Sequence, residues 1–260
     1  MTGAARGIGA ATVRRLLDEG YCVTALDWCA GDRPGGRVPG LPYDMPKRAE
    51  LQAVVDDSDG RAVAVVADVR DRGALVLAVA QTVERWGRLD VAVAAAAVLL
   101  GGQPLWETQH SALDLLWDVD VRGVWNTAAA AVPVMVGSGS PGGCRFVAVS
   151  SAAGTYGLFR LAAYNTAKHA VVGLVKGLAA DLAGTGVTAS VVSPGSTRTD
   201  MLAATAAVYG LADREEFADS QLIRRLIDPD EIAATIAFCC SLDGGVVNGT
   251  VVHADGGFSP

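Results

Sequence analysis

Three side chains in the second half of the chain have the types and spacing for acid–base chemistry. Tyr164 and Lys168 stand four residues apart, so on a helix they share one face. An ammonium beside a phenol favours the phenolate and lowers a pKa that starts at about 10. Tyrosine then becomes a usable proton acceptor near neutral pH. Ser151 lies just past the apolar run Arg145–Val149 and ahead of Tyr164, with a hydroxyl suited to holding a substrate oxygen. A lone Tyr-x-x-x-Lys is equally the pattern of a solvated helix face, so the assignment depends on what accompanies it.

A glycine-rich turn accompanies it. Thr2-Gly3-Ala4-Ala5-Arg6-Gly7-Ile8-Gly9 precedes a helical segment beginning near Ala10. Gly3 and Gly7 let backbone N–H groups approach a pyrophosphate, Gly9 permits close helix packing, and the helix N-terminus adds partial positive charge. Asp27 ends the next strand, where a carboxylate accepts hydrogen bonds from ribose hydroxyls and repels a 2′-phosphate. Arg6, a cation beside the turn, pulls toward that phosphate. Asp27 is placed at the ribose itself, so the balance favours NAD over NADP. Asp68 and Val69 follow the Ala62–Ala67 run, where an adenine edge would lie, although an Asp there is also an ordinary turn former. Pro194-Gly195-Ser196-Thr197-Arg198-Thr199 follows a later strand; Pro194, Gly195, Thr197 and Thr199 either hold a nicotinamide carboxamide or form only a turn.

The elements that must carry these residues alternate. Short apolar runs at Cys22–Leu26, Ala62–Ala67, Val91–Ala95, Arg145–Val149, Thr188–Val192 and Val251–His253 read as strands. Helical segments lie between them at Ala10–Glu19, Arg48–Val55, Gly73–Trp86, Ala112–Val136, Ala162–Ala183 and Asp230–Cys240. This alternation predicts βαβ units, hence an α/β doubly wound, Rossmann-like fold with a mainly parallel sheet, as one domain over 1–260. Three stretches interrupt the rhythm. Trp28–Lys47, rich in Pro and Gly, reads as an irregular insertion loop; Gly137–Gly143 as a connector; and Ser196–Leu226 as a lid or substrate loop. In the last, Met201, Leu202, Val208, Tyr209, Leu211 and Phe217 either line a pocket for a hydrophobic alcohol or pack as core.

The glycine turn starts at Thr2, where a doubly wound sheet places a strand of about five residues first. The expectation is therefore that the given chain lacks its first strand. Met1 would stand in for that strand's last apolar residue, as when a coding GTG is read as an initiator.

Composition narrows the function classes. Of 260 residues, 51% are hydrophobic and 6% aromatic, and the net charge is −7 without a basic cluster. Nucleic acid and anionic membrane are poor partners for such a chain. The longest uncharged stretch, Gly123–Cys144, is broken by Asn126, Pro133 and a Gly/Ser run, so no spanning helix is expected. No basic-then-apolar leader is visible, which suggests a cytoplasmic protein. Five cysteines without C-x-x-C spacing and three scattered histidines predict neither a disulfide framework nor a metal site.

Taken together, T-G-x-x-x-G-I-G, Asp68-Val69, Ser151, Y-x-x-x-K, the Pro194-Gly195 step and Asp255-Gly256-Gly257 resemble the short-chain dehydrogenase/reductase family over nearly the whole chain. The resemblance implies Tyr164 as catalytic acid/base, Lys168 binding the nicotinamide ribose and assisting Tyr164, and Ser151 positioning substrate. It implies hydride transfer between an alcohol or carbonyl carbon and the nicotinamide, and a homotetramer. The Trp28–Lys47 insertion, Ala94–Ala97 and Gly101-Gly102-Gln103-Pro104-Leu105-Trp106-Glu107-Thr108 resemble the mycofactocin-associated subgroup. That implies NAD covered by the insertion, exchanging poorly and passing electrons to mycofactocin. Two departures stand out: Ala94–Ala97 replaces Asn-Asn-Ala-Gly, and Val119-Asp120-Val121-Arg122-Gly123 presents Asp120 where the family has a catalytic Asn. An ionised Asp120 accepts hydrogen bonds but donates none; it is left either to support a water relay to Lys168 or to shift the titration of Tyr164 and Lys168. Two rival readings stay open: a freely exchanging NAD(P)H-dependent reductase of ketones or 3-oxoacyl thioesters, and a catalytically silent NAD-sensing protein.

Overall fold

In the computed structural model, which describes residues 1–33, 38, 40–41, 43–259, the apolar runs become six parallel strands. These are β1 Val23–Asp27, β2 Ala62–Val66, β3 Val91–Ala94, β4 Arg145–Val149, β5 Thr188–Pro194 and β6 Val251–Ala254. β1 pairs with β2, and β3 through β6 pair in sequence order, every pair parallel. All five residues of β4 are buried, because helices cover both faces of the sheet. The strand period of two then divides its side chains. Val147 and Val149 pack with Val13, Leu16, Ile232 and Ile236, whereas Phe146 and Ala148 pack with Val124, Met135, Val171 and Val175.

The helices are α1 Gly7–Asp18, α2 Arg48–Val55, α3 Arg72–Trp86, α4 His110–Leu116, α5 Arg122–Val136, α6 Ala162–Asp181, α7 Asp200–Tyr209 and α8 Pro229–Cys240. Two differ from expectation. The single helix foreseen over Ala112–Val136 contains a π-helical turn, Trp117–Val121, between α4 and α5. The segment Ser196–Leu226, foreseen as a loop, carries α7. Thr199 caps its N-terminus by accepting the Leu202 N–H, and Gly210 ends it in the left-handed region at φ 67°. Of the insertion Trp28–Lys47, residues 34–37, 39 and 42 lie outside the described residues; the rest includes one 3₁₀ turn at Ala30–Asp32.

Met1 to Ala4 run between β1 and β3, in the central position where the fold calls for a strand. Thr2 bridges to Leu26 on one side and Ala94 on the other. The Thr2 N–H donates to Val93 O, the Ala4 N–H to Leu26 O, and the Leu26 N–H to Met1 O. The Thr2 hydroxyl also accepts the Ala95 and Ala96 N–H groups. Beyond this short bridge, β1 and β3 flank a cavity of about 320 Å³ lined by Met1, Val23, Thr24, Val91 and Val93. Among the described residues no helix is long and apolar enough to cross a membrane.

Gly9 fixes how α1 leaves the glycine turn. A Cβ there would sit 1.8 Å from the Gly3 carbonyl oxygen, which no rotamer change relieves. Gly9→Ala is expected to destabilise the fold by about 2–3 kcal/mol, measurable by urea unfolding. An unchanged midpoint and slope would show that the turn adjusts freely.

Candidate functional site

The carboxyl ends of the strands converge on one cavity of about 530 Å³. Open α/β sheets bind ligands at this edge. At its centre, Tyr164 and Lys168 lie on the first turns of α6, both buried. The Lys168 ammonium lies 5.5 Å from the Tyr164 ring centroid. Ser151 follows β4, and its hydroxyl favours ionisation of the Tyr164 phenol. Its hydroxyl also accepts the Ala153 N–H, which caps the short turn Ala152–Gly154. The neighbouring Ser150 donates to the Lys168 carbonyl at 3.0 Å and ties the end of β4 to α6. Gly154 makes this close approach possible, since a Cβ there would meet Ser150 Oγ at 2.4 Å. Ser150 and Gly154 are second contributors that spacing did not single out.

Asp120 joins this group. The π-helical turn directs its side chain inward, with no exposed surface. Its Oδ2 lies 3.1 Å from Lys168 Nζ, and its Oδ1 accepts the Val98 N–H at 2.8 Å. Burial pushes the Asp120 carboxyl above the usual carboxylate range, while Lys168 and the Val98 N–H draw it back. Burial opposes the charge on Lys168, but Asp120 and Tyr164 more than offset it and hold the lysine protonated. For Tyr164, burial raises the phenol; Lys168 and Ser151 act against this, whereas Asp120 adds to it. The phenol therefore sits above, not below, the ordinary tyrosine value. That corrects the expectation drawn from Tyr164 and Lys168 alone, and the causes are desolvation and a neighbouring carboxylate.

The other half of the cavity has groups suited to a dinucleotide. Gly3 and Gly7 both adopt positive φ, 69° and 57°, and a Cβ on Gly3 would meet the Ala96 backbone at 2.8 Å. Gly7, Ile8 and Gly9 begin α1, whose first turn has neither an acidic residue nor a side-chain cap. The positive end of this helix is thus left for an anion. Asp27 is buried at the end of β1. Its two oxygens accept the Ala5 and Cys29 N–H groups, and burial raises its carboxyl while these bonds lower it. Val69 and Ala95 line the cavity as well. Asp68 lines it too, with its carboxylate chelated by the Arg70 guanidinium. Asn126 donates to the Val69 and Arg70 carbonyls and braces this corner.

Arg6 lines the cavity as well, with its guanidinium already engaged. Nη2 donates to the Asp44 carbonyl at 2.7 Å, and Nη1 pairs with Asp200 at 3.4 Å. It links the insertion to α7. Pro194, Gly195, Thr197 and Thr199 line the cavity, but the two hydroxyls already donate to the Gly195 and Thr197 carbonyls.

Of the apolar residues foreseen around a substrate, Met201, Leu202, Tyr209 and Phe217 reach the cavity. Val208 packs against the core instead. Leu211 does not line the cavity. Tyr43, Leu158, Phe159 and Phe258 do, and none had been singled out. Tyr43 comes from the insertion, and its hydroxyl accepts the Leu99 N–H at 2.8 Å. Such a contact, to a backbone group far along the chain, leaves no sequence pattern. Among the described residues, no group of three His, Cys, Asp or Glu side chains could hold a metal ion.

Comparison with known proteins agrees with this arrangement. A family model described as enoyl-(acyl carrier protein) reductase matches residues 3–259. An A-factor type gamma-butyrolactone 1′-reductase (1S-forming) of Streptomyces virginiae is 35% identical over 260 residues, covering 100% of this chain and 94% of that protein. An uncharacterized NAD-dependent oxidoreductase of Mycobacterium tuberculosis (strain ATCC 25618 / H37Rv) is 32% identical, covering 99% of this chain and 94% of that protein. The crystal structure of carveol dehydrogenase from Mycobacterium avium in complex with NAD superposes with a TM-score of 0.89 at 29% identity, covering 99% and 95% of the two chains. Its Rossmann-like parallel sheet, its site at the strand carboxyl ends and these relatives together place the chain among the short-chain dehydrogenases/reductases, an oxidoreductase family.

Proposed function

We propose that this protein transfers hydride between a small hydrophobic alcohol or ketone and a nicotinamide dinucleotide, NAD in preference to NADP, which it retains between turnovers. The observation that carries the reading is half-buried Ser151 beside the buried Tyr164 and Lys168, at the head of an apolar cavity beside the glycine turn. The bound dinucleotide supplies the hydride acceptor or donor. Tyr164 exchanges the proton with the substrate oxygen, and Ser151 holds that oxygen in place. Lys168 keeps positive charge beside the phenol and reaches toward a ribose. The apolar wall of Leu158, Met201, Leu202, Tyr209 and Phe217 favours a hydrophobic substrate.

Asp27 supports NAD, because a buried carboxylate at the ribose position opposes a 2′-phosphate and Arg6 is engaged elsewhere. Retention rests on the insertion, which Tyr43 and Arg6 pin over the cavity. Added contacts of this kind act chiefly on dissociation. Cofactor that stays bound needs an external acceptor, and mycofactocin is the one proposed here. The protein is proposed to work in the cytoplasm as a homotetramer; the exposed Trp125 on the outer side of α5 is suited to a subunit contact. The reductases among its relatives favour a second reading, in which NAD(P)H exchanges freely and a ketone or 3-oxoacyl thioester is reduced.

Three measurements test these readings. Protein purified without added cofactor and desalted exhaustively is expected to release near-stoichiometric NAD(H) on denaturation. Empty protein would favour free exchange, and bound NADP(H) would overturn the role given to Asp27. Tyr164→Phe is expected to lower turnover by on the order of 10²- to 10⁴-fold while bound nucleotide is unchanged; undiminished turnover would remove Tyr164 from the chemistry. Arg6→Ala frees the insertion from α7, and release of nucleotide into a large excess of unlabelled NAD is expected to quicken by roughly tenfold. An unchanged release rate would mean that the insertion does not hold the cofactor.

A further inference from the structure

We propose that Asp120 is a positioning residue which holds Lys168 in a buried ion pair and thereby keeps Tyr164 in its phenol form at neutral pH, so that the phenolate which alcohol oxidation needs forms only as pH rises. The inference deepens the reading above and rests on its assignment of Tyr164 as the proton-exchanging group. It begins with geometry. Lys168 Nζ and Asp120 Oδ2 are 3.1 Å apart, with side-chain exposures of 3% and 0%. Little solvent screens this pair, so the lysine charge is directed to its carboxylate rather than to the phenol alone.

The surroundings leave few competing charges. From α6, only Tyr164 and Lys168 face Asp120 among titratable groups. From the loop after β3 comes the Val98 N–H. From the insertion comes Tyr43, whose phenol burial raises and whose hydroxyl accepts the Leu99 N–H. On its own turn, Asp118 pairs with Arg122 at the partly exposed surface. Ser151 is the remaining polar partner of Tyr164. Tyr164 thus faces a cation whose field is largely cancelled by an adjacent anion, at a buried position. An amide at position 120 would leave Tyr164 as the remaining titratable partner of Lys168, so that a lysine charge costly to leave unpaired favours the phenolate.

The consequence is a pH dependence with a definite sign. Removing a proton from an alcohol requires the Tyr164 phenolate, so oxidation should climb as pH rises through the alkaline range. Protonating a carbonyl oxygen requires the phenol, so reduction should persist through neutral pH. Asp120→Asn keeps an oxygen for the Val98 N–H but removes the counter-ion of Lys168. Both limbs should then move to lower pH by about one unit or more. Asp120→Glu retains the charge and should stay nearer the native profile even where its rates fall.

The decisive measurement needs no substrate. Phenolate absorbance is titrated in the native protein with its nucleotide bound, and in Asp120→Asn, each after subtraction of its Tyr164→Phe counterpart. A midpoint lower by about one unit or more in Asp120→Asn, with Asp120→Glu near native, supports the proposal. A Tyr164 phenolate that forms only in Asp120→Asn before the fold is lost supports it equally. Equal midpoints, or a phenolate in neither protein, would overturn it. Should Asp120→Asn fail to fold, Asp120→Ser carries the same expectation. If the titration shifts as expected while no alcohol or ketone is turned over, the function reading fails and the role of Asp120 stands.

Discussion

Lys168 and Asp120 are both sealed from solvent, and either charge is costly there without a counter-charge. Taking one ion out of water costs several kcal/mol even after the protein relaxes, and a partner at 3.1 Å offsets that cost only when its remaining polar atoms are engaged. Much of the local architecture follows from this constraint. The π-helical turn Trp117–Val121 brings Asp120 inward where a regular helix would continue its phase. The Val98 N–H occupies the second carboxylate oxygen and so fixes the loop leaving β3. Lys168 in turn carries Tyr164 one helical turn away, and Ser150 secures the backbone of Lys168 to the end of β4. One pair therefore registers three elements against each other beside Tyr164 and Ser151.

The sheet meets a comparable demand through backbone hydrogen bonds. β1 and β3 are not neighbours, and only Met1 to Ala4 pass between them, with Thr2 bonded to both. Those few residues also begin the glycine turn. The same segment thus joins the two groups of strands and aims α1 at the cavity. Gly3 is pressed against the Ala96 backbone while the Thr2 hydroxyl binds the N–H groups of Ala95 and Ala96. The alanine run that replaces more polar residues is consequently held by its own backbone, and the wall it forms is apolar without being loose.

Much of this was legible in the sequence wherever the signal was local. Arg48–Val55 and Arg145–Val149 have in the structure the bounds their patterns gave, because continuous burial and helical spacing leave direct traces. The glycine turn and Tyr164–Lys168 were legible for the same reason. What escaped depended on distant partners. α7 lacks a clear polar face, since Ala and Leu surround it, and so its Met201–Tyr209 stretch read as loop. The π-helical turn adds one residue to a helix without altering composition. The direction of Arg6 is decided by Asp44 and Asp200, and the place of Tyr43 by the Leu99 N–H. The phenol of Tyr164 was misjudged because spacing reveals the lysine beside it but not the desolvation, nor the carboxylate behind that lysine.

These long-range contacts also distinguish two movements. Arg6 joins the insertion to α7, and the Tyr209 hydroxyl joins α7 to the Phe159 carbonyl at 2.7 Å. Phe217 stacks edge-on against Tyr209 at 5.8 Å, so the apolar end of the cavity is roofed mainly by α7 and its neighbours. A small molecule leaving that end needs only this roof to yield. A dinucleotide lying along the glycine turn would have to part the insertion from Arg6 and from Leu99 as well. The second path breaks more contacts, including a hydrogen bond from a partly buried N–H whose loss leaves a donor unpaired. On the proposed reading, exchange of substrate is thus the less hindered of the two, and exchange of a retained cofactor the more hindered.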